Sequence, residues 1–114
     1  MQRSDWRPRI HDMLDAVAEI QAFTRDLDLT EFCSDTKTLR AVQYEFVILG
    51  EAARSVPEDA RSRFSSLPWS QIMGMRNVVA HQYRRVDPAV LWDTIQNDLP
   101  SPVLLLQQAL SAES

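Results

Sequence analysis

Apolar residues recur three and four positions apart along nearly the whole chain, and that spacing commits it to helices. Ile10, Met13, Leu14, Val17 and Ile20 draw one stripe from about Pro8 to Asp26, with Pro8 where a first-turn proline is tolerated. After a connection from Leu27 to Ser34, Asp35 stands as an N-cap. The stripe resumes as Leu39, Val42, Phe46, Leu49 and Ala53, widened by Tyr44 and Val47. Pro57 closes that helix and opens a short one through Phe64. Pro68 precedes a third segment, Trp69, Ile72, Met73, Val79 and Ala80. Asp87-Pro88 signals another start, whose face is Val90, Leu91, Ile95 and Leu99. Ser101-Pro102 repeats the signal, so Val103 to Leu110 is either a separate helix or the same one kinked at Pro100. The expected fold is all-α: an antiparallel bundle of four main helices plus short helices, one domain over residues 1–114.

Composition removes most alternatives. The chain has 2 glycines in 114 residues, where average usage would supply about eight. That leaves little material for hairpin turns or phosphate-cradling loops, and argues against an all-β fold and a P-loop. Cys33 is the single cysteine, so neither an internal disulfide nor a multi-thiolate zinc site is expected. Cys33 itself is expected to be a small buried or half-buried side chain. The start, Met1 to Trp6, is polar, and the longest apolar run is Val103 to Leu106, far short of the ~20 residues of a membrane span. A cytoplasmic protein without a membrane segment is the expectation. The net charge is −4, yet Arg54, Arg61, Arg63, Arg76, Arg84 and Arg85 face only Glu58 and Asp59 between positions 54 and 85. An acidic chain with one arginine-rich segment is no general nucleic-acid binder, but it can hold phosphate locally.

Few residues can carry chemistry. His11 and Asp15 lie four apart on one helical face, but with no second histidine nearby they read as an ordinary surface pair. Asp12, Asp15 and Glu19 read as a solvated face. There is no Gly-rich phosphate loop, nucleophile elbow or familiar Cys–His spacing. What remains is Arg76-Asn77-Val78-Val79-Ala80-His81-Gln82-Tyr83, at the end of an apolar helix where an unpaired guanidinium would be costly to bury. In a continuing helix Tyr83 returns to the face of Arg76, whereas His81 points about 140° away. A convergent Arg76–His81 site therefore needs the helix to loosen near His81, or a second subunit.

This segment resembles the R-x4–6-H motif of the HEPN superfamily of small helical ribonucleases, and most closely the HepT-like toxins of HepT/MNT toxin–antitoxin pairs, whose version reads R-x4-H-x-Y. The likeness runs nearly the whole chain. Leu49-Gly50-Glu51-Ala52-Ala53 is similar to the I-G-E-A stretch of the second long helix, and Pro68-Trp69 through Gly74-Met75-Arg76-Asn77 to the family's P-W-x-x-I-x-G-M-R-N approach. Val86-Asp87 and Leu99-Pro100 fall where the family has V-D and L-P. The resemblance implies a HEPN-like dimeric bundle and an endoribonuclease that needs no metal or other cofactor. Arg76 and His81 would be catalytic, and RNA the substrate. It also implies a partner nucleotidyltransferase antitoxin that transfers AMP from ATP onto Tyr83. The alternative within the same family is a non-catalytic binding partner of that nucleotidyltransferase, which loss of Arg or His from the motif would mark; both are present.

The residue types suit the chemistry. RNA cleavage without metal uses the ribose 2′-OH as internal nucleophile, with a base, an acid for the leaving 5′-oxygen, and a cation for the transition-state charge. Histidine suits the proton transfers, because an unperturbed imidazole titrates near pH 6.5. Arginine suits the phosphate, because its planar fork binds two oxygens and stays charged. Asn77 can orient the phosphate or His81 through its amide. One chain offers one motif histidine, so a homodimer that brings two copies of Arg76 and His81 into one cleft answers the need for both base and acid. The stripe around Trp69, Ile72 and Met73 is the expected source of the dimer face.

Overall fold

A computed structural model describes residues 5–112; Met1 to Ser4, part of the polar start, lie outside them. The described residues form seven α-helices and one 3-10 turn, with no strand among them. α1 (Arg7–Thr24) carries Pro8 in its first turn and buries Ile10, Met13, Val17 and Ile20 on one face. α3 (Thr36–Ser55) starts at Asp35, whose carboxylate accepts from the Thr38 hydroxyl at 2.7 Å and the Thr38 amide at 3.1 Å. Those two bonds, the hydroxyl first, hold the Asp35 carboxyl below the usual carboxylate range.

Between them lies α2 (Leu29–Ser34), in what reads from the sequence as a connection. Asp28 accepts from the Glu31 amide at 2.8 Å and the Glu31 carboxylate accepts from the Asp28 amide at 2.9 Å, a reciprocal cap for a helix of six residues. Phe32 is its inward anchor, packed on Trp92 with ring centroids 5.3 Å apart. Cys33, one position on and about 100° around the helix, is consequently exposed rather than buried.

α4 (Glu58–Arg63) and α5 (Trp69–Gln82) follow, then a 3-10 turn (Tyr83–Arg85), α6 (Pro88–Asn97) and α7 (Pro100–Ala112). Asp87 caps α6 by accepting from the Ala89 amide at 2.9 Å. The last segment is a separate helix, and it starts at Pro100, ahead of the Ser101-Pro102 signal. No helix among the described residues is long and apolar enough to cross a membrane.

α3 lies between α1 and α5 and packs along both. Its main stripe, Leu39, Val42, Phe46, Leu49 and Ala53, is buried as the spacing predicts. Tyr44 departs from that reading: it falls outside the buried arc and is 66% exposed. Toward α5, α3 presents Gln43 and Gly50, seven residues apart and so on one face.

Toward α1, α3 buries Glu45, one of whose oxygens has no hydrogen-bond partner. Burial first, and the neighbouring Glu19 carboxylate second, push the Glu45 carboxyl above the usual carboxylate range. A raised folded-state value penalises the charged form, so this cost is full above that value and fades as pH falls toward the unfolded carboxylate range. Glu45→Gln, which keeps the shape and removes the charge, is therefore expected to stabilise the protein at pH 7, by a gain that fades near pH 4. Urea unfolding at pH 7 and near pH 4 checks this. A gain independent of pH would show that charge at Glu45 is not the cause.

Candidate functional site

α5 is set down by its first residue. Trp69 is buried, and its indole N–H donates to the Phe64 carbonyl at 3.0 Å. Trp69 thus belongs to the chain's own core and not to the outer face expected of it; Ile72 and Met73 beside it are half-buried.

The motif begins two turns on, where α5 crosses α3 at Gly50. A Cβ built on Gly50 would lie 2.1 Å from the Arg76 Cβ and 3.2 Å from the Ile72 carbonyl oxygen. Only glycine permits that approach. It brings the Arg76 guanidinium beside Glu51, with Nε 2.5 Å from Glu51 Oε1. The N–H is not aligned for a hydrogen bond to that oxygen, so the contact is an ion pair. A second nitrogen, Nη1, donates to the Asn77 amide oxygen at 3.1 Å. The arginine is thereby held on both sides while 24% of its side chain stays open to solvent. Glu51 and Gly50 have no role legible from spacing; they stand in the sequence only as part of a family-like stretch.

α5 stays α-helical through His81 and gives way only at Gln82–Tyr83. The helix does not loosen before the histidine. His81 is exposed, makes no hydrogen bond or ion pair among the described residues, and is not brought together with Arg76 within one chain. It lies instead in line with Gly74 and Val78, at i, i+4 and i+7. This strip is open: nothing lies within 4 Å of a Cβ on Gly74, and Val78 is 46% exposed.

Tyr83 turns back onto α3. Its carbonyl accepts from the buried Gln43 amide at 3.0 Å, and Gln43 in turn accepts from Arg40 at 3.0 Å. Arg40 and Arg84 both stand over the Tyr83 ring, 5.2 and 5.6 Å from its centroid, and Arg84 Nε donates to the phenolic oxygen at 3.1 Å. Gln43 and Arg40 are further residues that no sequence pattern singles out. His11 and Asp15 are exposed on α1, and no three His, Cys, Asp or Glu side chains gather among the described residues. An open cavity of about 470 Å³ between α3, α5 and α7, lined by Phe46, Leu49, Ile72, Met75 and Leu105, contains none of the motif's polar residues.

The family described as Ribonuclease HepT-like matches residues 13–108. A Thermococcus cleftensis protein described as a probable ribonuclease HepT is 36% identical over 101 residues, covering 89% of this chain and 91% of that one. A Methanocaldococcus jannaschii protein described as a putative RNase is 32% identical over 100 residues, covering 88% and 92%. Another so described, from Caldanaerobacter subterraneus, is 27% identical over 107 residues, covering 94% and 96%. No solved structure matches significantly. A helical chain whose matched span encloses α5 and its whole Arg76-to-Tyr83 segment belongs to the HepT-like ribonuclease family.

Proposed function

We propose that this HepT-like ribonuclease is the toxin of a toxin–antitoxin pair, a metal-independent endoribonuclease acting through Arg76 and His81. The observation that carries the reading is the fixed and partly open guanidinium of Arg76, clamped by Glu51 and Asn77 on a helix that also exposes an unencumbered His81. His81 takes the proton of a ribose 2′-OH, and the oxygen attacks the adjacent phosphorus. Arg76 stabilises the charge that builds on the phosphoryl oxygens. The bond to the 5′-oxygen breaks, and that oxygen leaves with a proton from a second histidine. The products are a 2′,3′-cyclic phosphate and a 5′-hydroxyl.

The second histidine comes from a second copy. The open strip of Gly74, Val78 and His81 supports this, because a glycine with free space above it lets another helix approach closely and places His81 at the junction. Control falls on Tyr83, 39% exposed beyond the histidine. A partner nucleotidyltransferase joins the phenolic oxygen to the α-phosphorus of ATP, with pyrophosphate leaving. The new phosphodiester competes with RNA for the arginines, and the nucleoside obstructs the cleft.

One set of assays on the purified protein tests the proposal. Cleavage is expected to persist in EDTA, to leave 2′,3′-cyclic ends, and to come from a species that sediments as a dimer. Coexpression with the nucleotidyltransferase should add AMP-sized mass to the peptide containing Tyr83. A strict magnesium requirement, or an active monomer, would overturn the mechanism. Neutralisation with that peptide unmodified would reduce control to complex formation.

A further inference from the structure

Three arginines lie against carboxylates: Arg7 pairs with Asp5, Arg9 with Asp12 and Arg76 with Glu51. Arg40 and Arg84 differ. Among the described residues neither has a carboxylate partner; each is held by neutral groups, Arg40 by the Gln43 amide and the Tyr83 ring, Arg84 by the same ring and its hydroxyl. A guanidinium fixed by an aromatic face and an amide keeps its whole charge available while losing much of its conformational freedom. Two such cations around one exposed phenol, in a chain of net charge −4, make a local anion trap.

We propose that Arg40, Tyr83 and Arg84 form a second phosphate subsite, which holds a backbone phosphodiester of the RNA strand next to the one gripped by Arg76. The inference rests on the ribonuclease reading of the Arg76–His81 motif and adds a binding locus to it. Its position follows from the helices. Gly50 meets Arg76 and Gln43 meets Tyr83, so α3 and α5 run antiparallel and the two arginine sites lie seven residues apart along them. At 1.5 Å per residue that is about 10 Å, a separation that a single strand bridges within a nucleotide or two. A nucleotide joined to Tyr83 would present the same phosphodiester chemistry. The two sources are separated by using protein expressed alone, with its unmodified mass verified.

The experiment measures anisotropy of a labelled 2′-O-methyl oligonucleotide of mixed sequence, which cannot be cleaved by 2′-OH attack, across a range of salt. Arg40→Ala and Arg84→Ala are each expected to weaken binding about fivefold to tenfold. Each should also lower the slope of log K against log salt by about 0.7, the loss of one single-strand phosphate contact. Arg40→Lys should restore the slope. Arg40→Gln, which keeps a polar group for Gln43, should not restore it. Arg9→Ala on α1, which packs on α3 rather than α5, should match the wild type. Unchanged binding in folded Arg40→Gln and Arg84→Ala, or weaker binding at an unchanged slope, would overturn the subsite and leave these arginines as props for Tyr83. A wild type that fails to bind the probe would overturn the ribonuclease reading along with it.

Discussion

His81→Ala is expected to lower RNA cleavage by about a thousandfold or more, and to end growth inhibition, in a protein whose helix content and melting temperature are unchanged. The magnitude is that of a lost general acid–base, compounded in the proposed dimeric cleft, where one substitution would remove both base and acid. The fold should survive because His81 is exposed and bonded to nothing among the described residues. Arg76→Ala is expected to be as damaging to cleavage. It also releases Glu51, but that carboxylate is 48% exposed, so the lost ion pair should cost at most about 1 kcal/mol of stability. Gel assays of RNA cleavage beside circular dichroism separate the two effects. Full activity in folded His81→Ala would sink the catalytic assignment.

Gly50→Ala should act through the fold itself. The added methyl would sit 2.1 Å from the Arg76 Cβ and 2.8 Å from its Cγ, while backbone at the Ile72 carbonyl blocks another direction. No rotamer change moves a Cβ, so α3 and α5 must separate, at about 3 kcal/mol, the upper range for an overpacked core. The same shift carries Arg76 away from Glu51, so cleavage should fall even in molecules that remain folded. Gly74→Ala is the control. Nothing lies within 4 Å of that position, and a helix-interior alanine there should raise monomer stability by about 0.5–1 kcal/mol. Denaturant titration of both variants reads the contrast. Equal stability of Gly50→Ala and wild type would mean that the close crossing does not persist in solution.

The helices were legible because local rules set them. Asp35 and Asp87 cap where their positions predict, and the apolar stripes of α1 and α3 are buried. α2 carries a local signal too: Asp28 followed three positions on by Glu31 is a capping box, but with Phe32 as its one buried anchor the segment has no apolar stripe to mark it as a helix. Tyr44 misled because spacing alone widens a stripe without fixing which edge a neighbour covers. The motif residues could be singled out as an odd polar cluster, but the tertiary contacts could not. Gln43, Gly50 and Glu51 act across the α3–α5 contact, and nothing within their own helix distinguishes a buried glutamine or a helical glycine that must meet another chain segment. His81 lies at the far limit of such reading, because its partner is proposed to be in another copy.

The two fastenings between α3 and α5 also act as a gauge of length. Gly50 and Gln43 are seven residues apart on α3, and their partners Arg76 and Tyr83 are seven apart across the end of α5 and the turn that follows it. One residue inserted between the fastenings in either helix would turn one of them by about 100° and advance it by about 1.5 Å, so both could not close together. The same insertion at Val86 falls outside the measured interval and leaves it intact. Length variation in this chain is thus expected to be tolerated at the joint after the 3-10 turn, and to be ruinous over the eight positions from Gln43 to Gly50.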